Sequence, residues 1–180
     1  MGAVDVEQSW VLQSRQGDHA AFERLVRVYQ PMVHALAYRM TGSSEAAEDL
    51  AQESFIQAFR ELASFRNDSK FSTWLCRIAI HLSLNWRRRE RRRGEVHREW
   101  AGQAASPTAP VLDELGERVR AALDRLPAKQ SAAIVLTVYE ALNHAETARV
   151  LDCSEETVSW RVFAARRKLR RWLKCLSPLP

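Results

Sequence analysis

Phe65 and Phe71 bracket a short polar run: Arg66, Asn67, Asp68, Ser69 and Lys70. Trp74, Arg77, His81 and Asn85 follow in a helical pattern that then runs into a dense group of arginines, Arg87, Arg88, Arg89, Arg91, Arg92 and Arg93. Arginine neutralises phosphate, an aromatic face stacks on an unstacked base, and Asn or His hydrogen-bonds base edges. The ligand these residues describe is a nucleic acid with at least one unstacked base. The plainer alternative is a buried Trp/Phe cluster followed by a solvated basic helix end, which the helix dipole favours anyway.

A second group of the same chemistry lies near the C-terminus. A helical segment over His144 to Leu151, a turn Asp152-Cys153-Ser154 and a longer helix over Glu155 to Leu173 have the spacing of a helix-turn-helix. In that motif the first turns of the second helix face the major groove. Those positions are Glu155, Glu156, Thr157, Ser159, Trp160 and Arg161. Arg161 can read guanine, Thr157 and Ser159 can contact phosphate or base, and Trp160 can touch thymine methyls. The two glutamates repel phosphate, although Glu can accept from cytosine. Arg166, Arg167, Lys168, Arg170 and Arg171 supply charge for the DNA backbone. The plainer alternative is a helical hairpin with a solvated basic face.

A third group is acidic. Glu48 and Gln52 flank the apolar stripe of the helix that carries them, while Asp49 and Glu53 lie away from it. Acidic residues early in a helix are expected from the dipole. The functional alternative is a docking face for a basic partner.

The elements that must position these groups are helical throughout. Asp5 to Gln16 reads as a first helix with Trp10 and Val11 inward, broken at Gly17. Asp18 caps a second over Ala20 to Met40, in which Pro31 predicts a kink or break near Gln30. Thr41 to Ser44 form a turn and cap. A third helix over Glu45 to Ala63 carries the apolar stripe Ala51, Phe55, Ala58, Phe59 and Leu62. Ser72 or Thr73 caps the arginine-bearing helix, which buries Leu75, Ile78, Ala79, Leu82 and Trp86. Ala101 to Pro110 is small, polar and proline-containing, the composition of a flexible linker. Val111 to Leu126 is helical, and Pro127 opens the next helix, which runs to about Ala141. Ser154 caps the last, whose stripe is Val158, Val162, Ala165, Leu169 and Trp172. No segment reads as a strand. The expected fold is all-α, with a helical bundle over 1–98, a linker over 99–111 and a helix-turn-helix domain over 112–180.

Composition narrows the function classes. There are 27 Lys and Arg against 22 Asp and Glu, so the excess is small, but the arginines cluster in two places. The three cysteines, Cys76, Cys153 and Cys175, form no zinc or disulfide spacing, and buried structural thiols are expected. The five histidines are isolated, so no metal site is expected. There is no Gly-rich phosphate loop, no H-E-x-x-H and no G-x-S-x-G, so no catalytic residue, no cofactor and no enzyme activity are expected. Without a signal sequence or a membrane-length apolar run, the chain is expected to be soluble and cytoplasmic, with no membrane insertion.

Together the two halves resemble the bacterial sigma-70 family, in its extracytoplasmic-function (ECF) group, which keeps only the sigma-two and sigma-four domains. The resemblance spans roughly Gln16 to Leu173. It rests on GDHAAFERLVRVYQP, AEDLAQESFIQAFREL and FRNDSKFSTWLCRIAIHLSLNWRRRERR in the first half. In the second it rests on LPAKQSAAIVL, AETARVL and TVSWRVFAARRKLRR. It implies a sigma factor that binds core RNA polymerase, directs promoter-specific initiation and helps melt promoter DNA. Asp49, Gln52 and Glu53 match the positions that dock on core polymerase. The loop Phe65 to Phe71 matches the one that captures a flipped base of the single-stranded non-template strand in the minus-ten element. His81, Asn85 and Arg88 stand where the family usually has Asn, Asp and Arg. Glu156 replaces a common Gly, and Ser159-Trp160 a common Lys-Ser, in the helix for the duplex minus-thirty-five element. The resemblance also implies an anti-sigma factor as a partner. The alternative is an ordinary helix-turn-helix regulator that binds duplex DNA without core polymerase.

Overall fold

A computed structural model describes residues 3–98 and 114–174. Among these residues every regular element is helical. The first unit contains α1 (Ala3–Arg15), α2 (His19–Thr41), α3 (Ser44–Glu61) and α4 (Phe71–Arg98), with a single 3₁₀ turn, Leu62–Ser64, after α3. The second contains α5 (Glu114–Asp124), α6 (Ala128–Ile134), α7 (His144–Val150) and α8 (Glu155–Lys174). The stretch expected to be the linker, 99–111, lies outside the described residues.

Local chemistry sets the boundaries of the first unit. Asp18 accepts a hydrogen bond from the Ala21 amide and starts α2. Gly42 ends it in a left-handed conformation, φ 71°, and Ser43 then caps α3 through the Ala46 amide. The break expected at Pro31 is absent, and α2 runs through it. Pro31 and Arg27, whose carbonyl loses its intrahelical bond, both face solvent, where water can take that bond's place. The cap of α4 also differs from expectation. The Lys70 carbonyl accepts from the Trp74 amide, so Lys70 occupies the cap position. Thr73 is buried inside the first turn instead.

α2 packs against α1, α3 and α4. Their shared core contains Leu25, Leu36, Met40, Phe55, Leu75 and Ile80, all nearly or fully buried. Each such side chain contributes on the order of 2 kcal/mol of burial. Phe59, expected in the stripe of α3, is 39% exposed. The inward line of α3 passes through Leu50, Ser54 and Ala58, with the Ser54 hydroxyl donating to the Leu50 carbonyl. Phe59 falls one residue beyond that line and packs at the rim, stacked on His19 and edge-on to Phe22.

In the second unit α8 packs on α5, α6 and α7 around Leu123, Ile134, Val158, Val162 and Ala165. Pro127 is the residue before α6, with ψ 135°, and does not open the helix as its first residue. α6 continues into a single π turn, Val135–Tyr139. Asn143 and Glu146 form a reciprocal capping box at the start of α7. Ser154 accepts from the Thr157 amide at the start of α8.

The two units pack directly against each other. α7 and α6 lie on α4, and α5 lies on α2. Ala132, Val135, Leu136 and Val150 of the second unit belong to the same buried cluster as Phe71, Leu75 and Ile80 of the first.

Candidate nucleic-acid and polymerase interface

The loop before α4 is built on an aromatic base. Phe65 and Phe71 are each 2% exposed, and Phe65 lies 5.0 Å and Phe71 5.6 Å from Trp74 between ring centroids. Tyr29 closes the cluster from α2, 5.5 Å from Phe71. Burial and a hydrogen bond to Glu7 raise the Tyr29 hydroxyl well above its ordinary pKa, so it stays a donor. The two phenylalanines therefore shape the loop from beneath. Arg66, Asn67, Asp68 and Lys70 are exposed above them, while Ser69 and Trp74 are half-buried. Asn67 takes φ 57°, a left-handed conformation that Asn tolerates better than most residues.

Between this loop and α4 lies a cleft of about 470 Å³, lined by Arg66, Asp68, Trp74, Arg77 and His81 among others. One wall offers an indole and another cationic and hydrogen-bonding groups, the set that holds an unstacked base. Gln57 and Glu61 of α3 also line it. They went unread in the sequence because they belong to another helix, and no spacing signals them. Asn85 and Arg88 are exposed one to two turns further along α4 and do not line this cleft. Arg88 instead lines a second cleft of about 570 Å³, with Arg87, Arg91, Arg125 and Lys129. Burial lowers the Arg87 pKa, which nearby Asp124 opposes.

On α3, Asp49, Gln52 and Glu53 are all exposed. Among the described residues none of the three makes a side-chain hydrogen bond or ion pair, so the face is open to a partner. Gln52 also edges a groove of about 730 Å³ whose apolar wall is Phe22, Val26, Phe55 and Ile56. An acidic rim beside an apolar groove can recognise a basic, amphipathic element.

In the helix-turn-helix, α8 presents Glu155, Glu156, Ser159, Trp160 and Arg166 to solvent, with Thr157 and Arg161 half-buried. Trp160 is 62% exposed. A hydrogen bond with Ser154 lowers the Glu156 pKa and keeps it anionic. Ser159 Oγ and His144 Nδ1 are 2.9 Å apart, which ties α8 to α7. Arg161 donates to Cys153 Sγ at 3.3 Å, which turns its guanidinium toward the turn. Phe163, 64% exposed beside Trp160, is absent from the sequence-based set. Its position off the apolar stripe was the available signal.

Cys76 is buried, and desolvation pushes its thiol up to about 12, as expected of a structural cysteine. Cys153 is only half-buried, and Cys175 lies outside the described residues. No group of His, Cys, Asp and Glu with metal-site geometry occurs among the described residues. No described helix is long and apolar enough to cross a membrane.

Comparison with known proteins agrees with this architecture. The family model for sigma-70 region 2 matches residues 25–93, and that for sigma-70 region 4 matches 116–169. The chain is 36% identical over 186 residues to the RNA polymerase sigma-H factor of Pseudomonas aeruginosa, covering 96% of this chain and 95% of the relative. It is 32% identical over 179 residues to the ECF RNA polymerase sigma factor SigW of Bacillus subtilis, covering 92% and 96%. A solved structure of the sigma factor RpoE with the anti-sigma factor NepR from Bartonella quintana aligns with a TM-score of 0.66 and 25% identity, over 85% of this chain and 96% of that one. The chain belongs to the sigma-70 family of transcription initiation factors, in its extracytoplasmic-function group.

Proposed function

We propose that this protein docks on core RNA polymerase through the acidic face of α3 and carries the enzyme to a specific set of promoters. Residues 1–98 act as the sigma-two domain, 112–180 as the sigma-four domain, and 99–111 as the linker. The cleft between Arg66, Trp74, Arg77 and His81 takes a flipped base of the minus-ten non-template strand, and Asn85 and Arg88 continue the contact along α4. Extruding a base costs a few kcal/mol, which stacking on Trp74 and charge on Arg77 offset. α8 reads duplex DNA at the minus-thirty-five element through Thr157, Ser159, Trp160 and Arg161, with Arg166 on phosphate. The protein acts by binding in the cytoplasm, and the catalysis is the polymerase's own. An anti-sigma factor controls it, as the Bartonella relative's complex suggests by analogy.

The observation that carries this reading is the coexistence of an unpaired acidic face on α3 with an aromatic, cationic cleft against α4. The test is binding to core polymerase and to promoter DNA, separately and together. Specific promoter binding that needs the polymerase supports the proposal. Tight specific duplex binding by the protein alone, with no affinity for core polymerase, overturns it.

A further inference from the structure

Several cations along the join between the two units are matched by a carboxylate. Arg77 lies 2.8 Å from Asp152, whose other oxygen lies 3.4 Å from His81 Nε2, and Arg39 lies 3.5 Å from Glu140. The second cleft breaks that pattern. Its volume of about 570 Å³ lies within the roughly 300–1,000 Å³ of small-molecule sites. Arg87, Arg88 and Arg91 line it from α4, and Arg125 and Lys129 line it from the second unit. Asp124 is the one carboxylate among its described lining residues, and it already pairs with Arg120 at 3.1 Å.

Local contacts hold these cations in place. Arg87 Nη2 donates to the Asp124 and Leu126 carbonyls at 3.1 and 3.2 Å. Its Nη1 is buried with no hydrogen-bond partner among the described residues. A buried donor left unpaired on a cation costs free energy that an incoming acceptor recovers. Burial lowers the Arg87 pKa, Asp124 opposes the fall, and the like charge of Arg91 adds to it. A bound anion offsets that repulsion. The Arg125 guanidinium lies 4.8 Å over the Trp172 ring, which fixes its direction.

We propose that this cleft is a binding site for an oligophosphate, a small anion with two or more linked phosphate groups, which bridges Arg87 and Arg91 of the first unit to Arg125 and Lys129 of the second. Guanidinium groups take phosphate oxygens through paired N–H donors, and a linked chain brings several anionic oxygens to the four cations at once. A cleft lined by charge of one sign also concentrates such anions from solution. The proposed promoter contacts do not use Arg87, Arg91, Arg125 or Lys129, so this site stands apart from them. Duplex DNA carries its phosphates on a broad convex surface, which a concave cleft of this size does not admit. A short phosphate chain enters it.

The test titrates sodium tripolyphosphate, without divalent cations, into the full chain free of DNA and polymerase. Calorimetry at constant ionic strength reads binding, with sodium sulfate as the reference anion. Arg91→Ala and Lys129→Ala remove one cation from each wall, and Arg24→Ala removes an exposed cation of α2 away from the cleft. All three side chains are exposed, so the variants should fold, which a thermal melt checks. The parent is expected to bind tripolyphosphate about tenfold more tightly than sulfate. Arg91→Ala and Lys129→Ala are each expected to weaken that binding about fivefold, and Arg24→Ala to leave it unchanged. Tripolyphosphate is also expected to raise the melting temperature of the parent but not of the Arg91→Ala/Lys129→Ala double variant. Binding no tighter than sulfate, equal weakening by all three variants, or weakening by one wall alone overturns the inference. A single-stranded oligonucleotide that displaces tripolyphosphate and depends equally on Lys129 assigns the cleft to nucleic acid and also overturns it. ATP carries the same phosphate chain on a nucleoside and is the second probe. Tighter binding of ATP than of tripolyphosphate, still sensitive to Lys129→Ala, supports the site with a nucleotide as its source, and weaker binding supports it with an inorganic chain.

Discussion

Trp74 lies against Phe65 with ring centroids 5.0 Å apart and planes tilted by 35°, so a loop residue and a helix residue share one aromatic contact. Phe65 is buried while Trp74 keeps part of its surface. The buried ring fixes the indole, and the indole forms the wall of the cleft that also holds Arg66, Arg77 and His81. A stacking surface held this way loses little freedom when a base arrives.

Replacing Trp74 tests that role. Trp74→Ala is expected to weaken binding of holoenzyme to a minus-ten single strand by about 1–3 kcal/mol, the usual worth of one base–aromatic stack. Trp74→Phe should restore most of it. Fluorescence anisotropy with a labelled oligonucleotide reads both. Equal losses for Ala and Phe would assign Trp74 to packing.

The helix-turn-helix depends on a cap. Asn143 Oδ1 accepts from the Glu146 amide at 2.8 Å, and Glu146 accepts from the Asn143 amide at 2.9 Å. Asn143→Ala removes one half of this box and should cost about 1 kcal/mol of stability. A thermal or urea melt measures it, with the loss falling on the unit that contains α7.

Glu140 gives the fold a pH signature. Burial raises its pKa above the ordinary carboxylate value, and Arg39 opposes the rise. Between the unfolded and folded values the native state binds more protons than the unfolded state, so stability falls as pH rises. The contribution is full below the ordinary carboxylate range and is lost as pH rises through the raised folded value. Other carboxylates titrate too, so the readout is the difference between parent and Glu140→Gln. Relative to the variant, the parent should lose stability as pH climbs from about 4.5. A difference that stays flat with pH would show that Glu140 titrates normally.

The periodicity of apolar residues was enough to place α1 to α4, the helix-turn-helix and most of both cores. It identified Leu75, Ile78, Val158 and Val162 as inward-facing because a 3.6-residue pattern marks a buried face directly. It misplaced Phe59 because a stripe locates a face only to within about one residue, and a rim position looks like a core one. It left Phe65 and Phe71 available to bases because an aromatic beside a polar loop has the same spelling whether it faces DNA or the core. The join between the units was not legible at all. Asp152, Glu140 and Arg39 lie far apart in the chain, and each alone reads as a solvated charge. Pairing across distant segments is a property of packing, which a single sequence does not print.

The central claim is that α3 docks core polymerase so that α4 and α8 can select a promoter. Run-off transcription with core polymerase tests it most directly, comparing the parent with an Asp49→Ala/Glu53→Ala double variant. Both side chains are exposed, so the variant should fold as the parent does. The account predicts a promoter-specific transcript from the parent, reduced at least tenfold in the variant at limiting protein, which is about 1.4 kcal/mol of docking energy. Equal transcript from both would contradict the docking face, and no specific transcript from the parent would contradict the function itself.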